Sequence, residues 1–81
     1  MSQKPIDVIV GERLEALRTT RGVTRDQLGA VIGRTGSHIA DYEAGRVRLP
    51  PDELIEICKF FQVPIQSLFP LPDSDQDPSR P

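Results

Sequence analysis

Residues 24–45, TRDQLGAVIGRTGSHIADYEAG, decide the fold. Thr24 stands three residues before Gln27, the spacing of a capping box. In that motif the threonine hydroxyl accepts from the glutamine N–H, and the glutamine side chain accepts from the threonine N–H. The spacing predicts a helix whose buried face is Leu28, Val31 and Ile32 and which ends at Gly33. Gly33 suits a turn that needs positive φ. Thr35 then caps a third helix over 36–44, with Ile39 and Tyr42 as apolar anchors and Gly45 closing it. Tyr42 reads as a core residue with its hydroxyl near the surface. Gly29 lies inside the second helix, where glycine costs about 0.5–1 kcal/mol relative to alanine. It is expected where another helix crosses too closely for a side chain.

Outward from this segment the chain stays helical. Asp7 reads as the cap of a first helix ending near Thr20, with Val10, Leu14 and Leu17 recurring at helical spacing and Gly22 as the left-handed stop. Pro51 suits the first turn of a fourth helix, with Asp52 and Glu53 at its positive end. Leu54, Ile57, Cys58 and Phe61 form its stripe. A short last helical turn from Pro64 to Phe69 is expected to point Ile65 and Leu68 inward. No strand-like alternation and no internal repeat occur. The reading is an all-α, compact five-helix domain over 6–70. A loose amino terminus (1–5) precedes it, and a disordered Pro/Asp-rich tail (71–81) follows.

Composition excludes several classes. The 81 residues make one domain with a modest core. Cys58 is the only cysteine, so no internal disulfide forms, and it reads as a small hydrophobe. His38 is the only histidine, and no His/Cys spacing fits a metal; no metal or cofactor is expected. No nucleophile has a paired base and no glycine loop cradles phosphate, so an enzyme is not expected. The start, MSQKPIDVIV, lacks the apolar run of a secretory signal, and no stretch is long and apolar enough for a membrane; a cytoplasmic protein is expected.

Charge points to a polyanion. The net charge is −2, but residues 18–48 hold six arginines (18, 21, 25, 34, 46, 48) against Asp26, Asp41 and Glu43, six minus three, or +3. The last nine residues hold three acids and one base. A local basic face governs phosphate contact more than the whole-chain balance does. Two helices joined at a steep angle by a turn of about three residues form a helix-turn-helix, whose second helix is sized for the major groove.

The stretches GERLEALRTTRGVT (11–24), QLGAVIG (27–33), SHIADYEAG (37–45) and FFQVPIQSLF (60–69) carry a resemblance. From Val10 to Phe69 the chain resembles the lambda repressor and Cro-like helix-turn-helix family of bacterial and phage regulators. The most diagnostic run is Ile39-x-x-Tyr42-Glu43-x-Gly45. The resemblance implies a five-helix domain that binds operator DNA as a symmetric dimer, in a bacterial or phage setting. It places Arg25 where relatives carry a phosphate-contacting glutamine. Gly36, Ser37, His38 and Asp41 fall on the groove-facing side of the third helix. Thr35 reads as a cap that also touches phosphate. Arg34, Arg46 and Arg48 flank the helix close to the DNA backbone. Arg18 and Glu43 occupy positions of a helix-one to helix-three ion pair.

There are departures from the family. Gly36 replaces a long polar side chain that often reads a base. Asp41 puts an acid on the DNA face, where it either accepts from a cytosine amino group or is repelled by phosphate. Ile55, Phe60 and Phe69 are surplus to the core and are the candidate dimer interface, unless Pro70–Pro72 folds back over them. The expected function is a dimeric transcriptional regulator, acting as a repressor and bound to double-stranded DNA. The alternative is an antitoxin-like or protein-interaction module with a protein partner for the acidic tail. With no further domain in the sequence, a signal is expected to act through concentration, proteolysis or a partner.

Overall fold

A computed structural model describes residues 4–70. The readings of residues 1–3 and of the acidic tail from Leu71 onward, including the fold-back of Pro72, lie outside the described residues. Four α-helices follow one another: α1 (Ile6–Thr20), α2 (Arg25–Ile32), α3 (Gly36–Ala44) and α4 (Pro51–Phe61). The fifth predicted helix is a three-residue 3-10 turn, Ile65–Ser67. Pro64 and Pro70 bracket it and leave room for a single turn. Among the described residues no helix is long and apolar enough to cross a membrane.

The helix ends show why the sequence folds locally this way. The Thr24 capping box closes in both directions, with Gln27 N donating to Thr24 Oγ1 at 3.0 Å and Thr24 N to Gln27 Oε1 at 2.8 Å. Thr35 Oγ1 accepts from His38 N at 3.2 Å and starts α3. Gly33 adopts φ 72° and turns the chain from α2 toward α3. The start of α1 differs from the expectation. Pro5 is its cap, and the Pro5 carbonyl accepts from Val8 and Ile9 N–H. Proline's fixed φ begins the helix two residues early, so Asp7 sits within the first turn instead of capping it.

The core draws on every element: Leu14, Leu28, Ile39, Ile57 and Leu68 are fully buried, with Tyr42 and Phe61 beside them. Val31 is 37% exposed, contrary to its expected burial. Leu28, Gly29 and Ile32 set the inward face of α2, and Val31 falls to the other side of Leu28. Ile65 also faces out, at 36% exposure, because the short turn directs Leu68 inward in its place. Ile55 and Phe60 are exposed, whereas Phe69 is half-buried and packed against the core, so it is not surplus.

Two glycines set close approaches. A Cβ on Gly11 would lie 2.3 Å from the Tyr42 carbonyl oxygen, so α1 presses directly on the backbone of α3. A Cβ on Gly29 would lie 2.5 Å from the Arg34 carbonyl oxygen. The neighbour that excludes a side chain at Gly29 is therefore the α2–α3 turn, not a crossing helix. Gly29→Ala is expected to lower stability by about 1–3 kcal/mol through overpacking against fixed backbone. Gly36→Ala meets chiefly the movable carboxylate tip of Asp26 and costs less. Thermal denaturation followed by circular dichroism ranks the two; the opposite order contradicts this packing.

Candidate nucleic-acid interface

Helix α3 divides cleanly between core and surface. Gly36, Ile39, Tyr42 and Glu43 are buried. Ser37 and Ala44 are exposed, and His38, Ala40 and Asp41 are half-buried. Gly36 is thus buried even though it borders the open groove beside Ser37. It is packed against Asp26 in the first turn of α2, where a Cβ would fall 2.1 Å from Asp26 Oδ1. A side chain at this position would displace α2 or that carboxylate, which accounts for glycine where a long polar residue is usual.

The buried Glu43 carboxylate fixes how α3 sits on α1. Arg18 Nε donates to Glu43 Oε2 at 2.6 Å and Arg18 Nη2 to Oε1 at 3.3 Å, and the Glu43 side chain is only 2% exposed. Arg18 Nη1 also donates to the Val23 carbonyl at 2.9 Å, which ties in the α1–α2 turn. Arg25 adds a third bond, Nε to Glu43 Oε1 at 2.9 Å, while its side chain stays 46% exposed. The hydrogen bond and charge of Glu43 raise the pKa of Arg25 further above its ordinary value.

A second network joins α3 to α4. The Tyr42 hydroxyl donates to Glu53 Oε1, and His38 Nε2 lies 3.1 Å from that hydroxyl with the two rings edge to face. Arg34 reaches Glu53 Oε2 through Nε and Nη2, each at 2.8 Å. The Tyr42 hydroxyl is thus held inside, where a near-surface position was expected. Glu53 is a buried partner, not merely an acid at a helix start. Burial pushes Tyr42 up to about 12, helped by its hydrogen bond to Glu53 and the charge of that carboxylate. Burial alone would raise Glu53, but the hydrogen bonds from Tyr42 and Arg34 and the charge of Arg34 outweigh it and hold the carboxyl below its ordinary value of 4.5.

The remaining cations also have partners. Arg46 Nε and Nη2 both donate to Asp41 Oδ1, at 3.1 and 3.0 Å. Arg48 Nε donates to Asp7 Oδ1 at 3.1 Å. Arg21 Nη1 donates to the Phe61 carbonyl at 2.9 Å and stands over that ring, closing the end of α4. The +3 counted along 18–48 is therefore not a free +3 patch. Asp7, Glu15 and Glu53, from α1 and α4, bring their charge to its arginines. A window along the sequence cannot register them.

The structure gathers part of the expected set into one concave surface. An open groove of about 720 Å³ is walled by the end of α1 and the α1–α2 turn, by Arg25 and Asp26 of α2, and by Gly36, Ser37 and Ala40 of α3. Thr35 lies exposed just before it. Arg34 and His38 are drawn toward Glu53 and Tyr42, Arg46 is held on Asp41, and Arg48 reaches back to α1. Ala40, at the groove, is absent from the sequence expectation; its helical spacing from Ser37 was the available signal. Among the described residues no three His, Cys, Asp or Glu side chains gather as metal ligands would.

Two stability outcomes follow. Arg18→Met leaves the buried Glu43 only its bond from the half-exposed Arg25 and is expected to cost up to about 3 kcal/mol, with part regained on adding Glu43→Leu. Denaturant unfolding of both variants measures this, and an unchanged midpoint for Arg18→Met contradicts it. For Tyr42, the fold favours the neutral phenol. Its contribution is complete below the ordinary tyrosine value of 10.0 and fades as pH climbs through about 12. Glu53 acts oppositely: the fold favours its ionised form, and its contribution fades as pH falls below the ordinary carboxylate range. Tyr42→Phe should reduce the alkaline loss of stability, leaving the part owed to the buried Cys58 thiol, and should also weaken the acid limb, since Tyr42 donates to Glu53; an unchanged alkaline limb contradicts the assignment.

With this geometry in hand, the family model for a helix-turn-helix domain matches residues 9–68. An uncharacterized HTH-type transcriptional regulator of Sinorhizobium medicae (strain WSM419) is 35% identical over 65 residues, covering 80% of this chain and 47% of that protein. The chain spans about half the length of the curated relatives it matches. Among solved structures, the restriction-modification controller protein C.AhdI from Aeromonas hydrophila is similar with a TM-score of 0.71 at 24% identity, over 78% of this chain and 96% of that one. The P22 c2 repressor, solved in complex with synthetic operator 9T, gives a TM-score of 0.69 at 23% identity, over 75% of this chain and 92% of that one. At these identities the structural likeness shows the fold.

Proposed function

The chain belongs to the lambda repressor and Cro-like helix-turn-helix family of transcriptional regulators, and on that premise we propose that it is a sequence-specific regulator of double-stranded DNA. In this reading α2 and α3 are the helix-turn-helix, and α3 enters the major groove. Arg25, Thr35 and Ser37 meet the DNA beside it, with Arg46 and Arg48 at the far end of α3. The observation that carries the reading is the shared groove, in which a half-exposed guanidinium, Arg25, stands beside the outward residues Ser37 and Ala40. Arg25 can leave Glu43 for a phosphate without stranding that carboxylate, because Arg18 remains bound to it. Phosphate contacts then supply affinity while groove contacts discriminate.

A repressing dimer fits the exposed apolar residues Ile55 and Phe60 on α4. Two copies would place their third helices in successive major grooves about 34 Å apart. One observation favours a second reading, a protein-interaction or antitoxin-like module: every arginine from 18 to 48 already bonds a carboxylate or carbonyl.

Selection of bound sequences from a random duplex pool, followed by affinity against salt, separates the two readings. The regulator predicts a roughly palindromic enriched site and a steep salt slope that decreases by about 1 in Arg25→Ala. No enrichment together with weak binding at low salt contradicts the regulator and favours the interaction module.

A further inference from the structure

We propose that Asp41 is a positioning residue for Arg46, and that Arg46 reads a guanine at the end of the groove contacted by α3. The inference rests on the DNA-binding reading above and assigns a role within it. Asp41 is an acid in the last turn of α3, where the negative end of the helix disfavours it. It is matched there by Arg46, whose Nε and Nη2 both donate to the single oxygen Oδ1. That contact uses one edge of the guanidinium. The end-on fork, made by Nη1 and the second Nη2 hydrogen, is directed away from the carboxylate. A fork of this shape matches O6 and N7 of guanine, the commonest specific arginine contact in the major groove.

The base of the side chain is equally fixed. Arg46 N donates to the Asp41 carbonyl at 3.0 Å, so main chain and side chain hold the same residue pair together. The intervening Gly45 has φ 77°, and a Cβ there would lie 2.9 Å from Val8 Cα, so the turn is pinned against α1. Arg46 thus leaves a rigid turn and is oriented by a carboxylate, while its side chain remains 65% exposed. An exposed ion pair adds little to stability. Its effect here is to hold a long side chain in one geometry before binding, which reduces the ordering cost on DNA. Arg34 is held in the same edge-on way, but by the buried Glu53, which gives it a structural role at the α3–α4 junction. Arg48 has a single bond to Asp7 and lacks such bracing.

The test uses the full chain and Arg46→Ala, Asp41→Ala and the double variant, each first checked for unchanged helical circular dichroism and melting. Bound sequences are selected from a random duplex pool, and relative affinities are measured for all four bases at each enriched position. Arg46→Ala is expected to reduce discrimination for guanine at one position per half-site by about ten- to a hundredfold, and to leave the other positions unchanged. Asp41→Ala should weaken preference at that same position. The double variant should be no worse than Arg46→Ala alone, because the two residues act as one unit. A loss in Arg46→Ala that is uniform across sequences, with a shallower salt slope, makes Arg46 a phosphate contact and overturns the inference alone. So does tighter and unaltered reading by Asp41→Ala, which would make the acid a barrier. No enriched sequence for the unaltered chain overturns the DNA reading and this inference with it.

Discussion

The placement of α3 depends on one buried carboxylate. Glu43 lies on the inner side of α3, nearly sealed from water, and Arg18 of α1 is its principal cation. The same guanidinium holds the Val23 carbonyl, so a single side chain joins α1, the α1–α2 turn and α3. Burying such a pair adds little net stability, since desolvation offsets the attraction, but separating the partners is costly. The consequence is geometric: α3 is held at one angle on α1, and Gly11 lets the two backbones meet at the crossing. Whatever the outward side of α3 contacts is presented from that fixed angle.

The second network works from the opposite side. Tyr42, Glu53 and Arg34 tie α3 to α4 and to the turn that precedes α3. His38 leans on Tyr42 and is thereby partly withdrawn from the outer face. What remains outward is small, namely Ser37, Ala40 and Ala44, with the Asp41–Arg46 pair at the end. A helix with short outward side chains admits close backbone approach to a groove. In the DNA-binding reading proposed above, discrimination falls to a few longer groups whose positions are set in advance. The arginines show both arrangements. Arg18 is committed to the fold, whereas Arg25 shares a carboxylate that keeps another partner when it leaves.

The sequence disclosed whatever depended on neighbours a few residues away. The Thr24–Gln27 box, the Thr35 cap and the left-handed Gly33 and Gly45 are all local, and they place α2 and α3 within the chain. Partnerships between distant residues were legible only where the family resemblance supplied them, as for Arg18 and Glu43. Glu53 looked like an ordinary acid at a helix start, because nothing near it in sequence announces Tyr42 eleven residues earlier or Arg34 nineteen earlier. Helical periodicity likewise does not reveal that Asp26 packs on Gly36. The basic face of residues 18–48 is offset for a related reason, since acids from α1 and α4 meet arginines of the central segment.

The most direct test of the central claim is a nuclear magnetic resonance titration of the labelled chain with a DNA duplex, following backbone amides and arginine Nε–H signals together. Shifts are expected to concentrate at Ser37, Ala40, Ala44 and Arg46. The Arg25 Nε–H signal should move as it exchanges Glu43 for phosphate, and the Arg18 Nε–H signal should stay in place on Glu43. Shifts confined to the Ile55 and Phe60 side of α4, or a titration that leaves α3 and Arg25 unmoved, would contradict that claim.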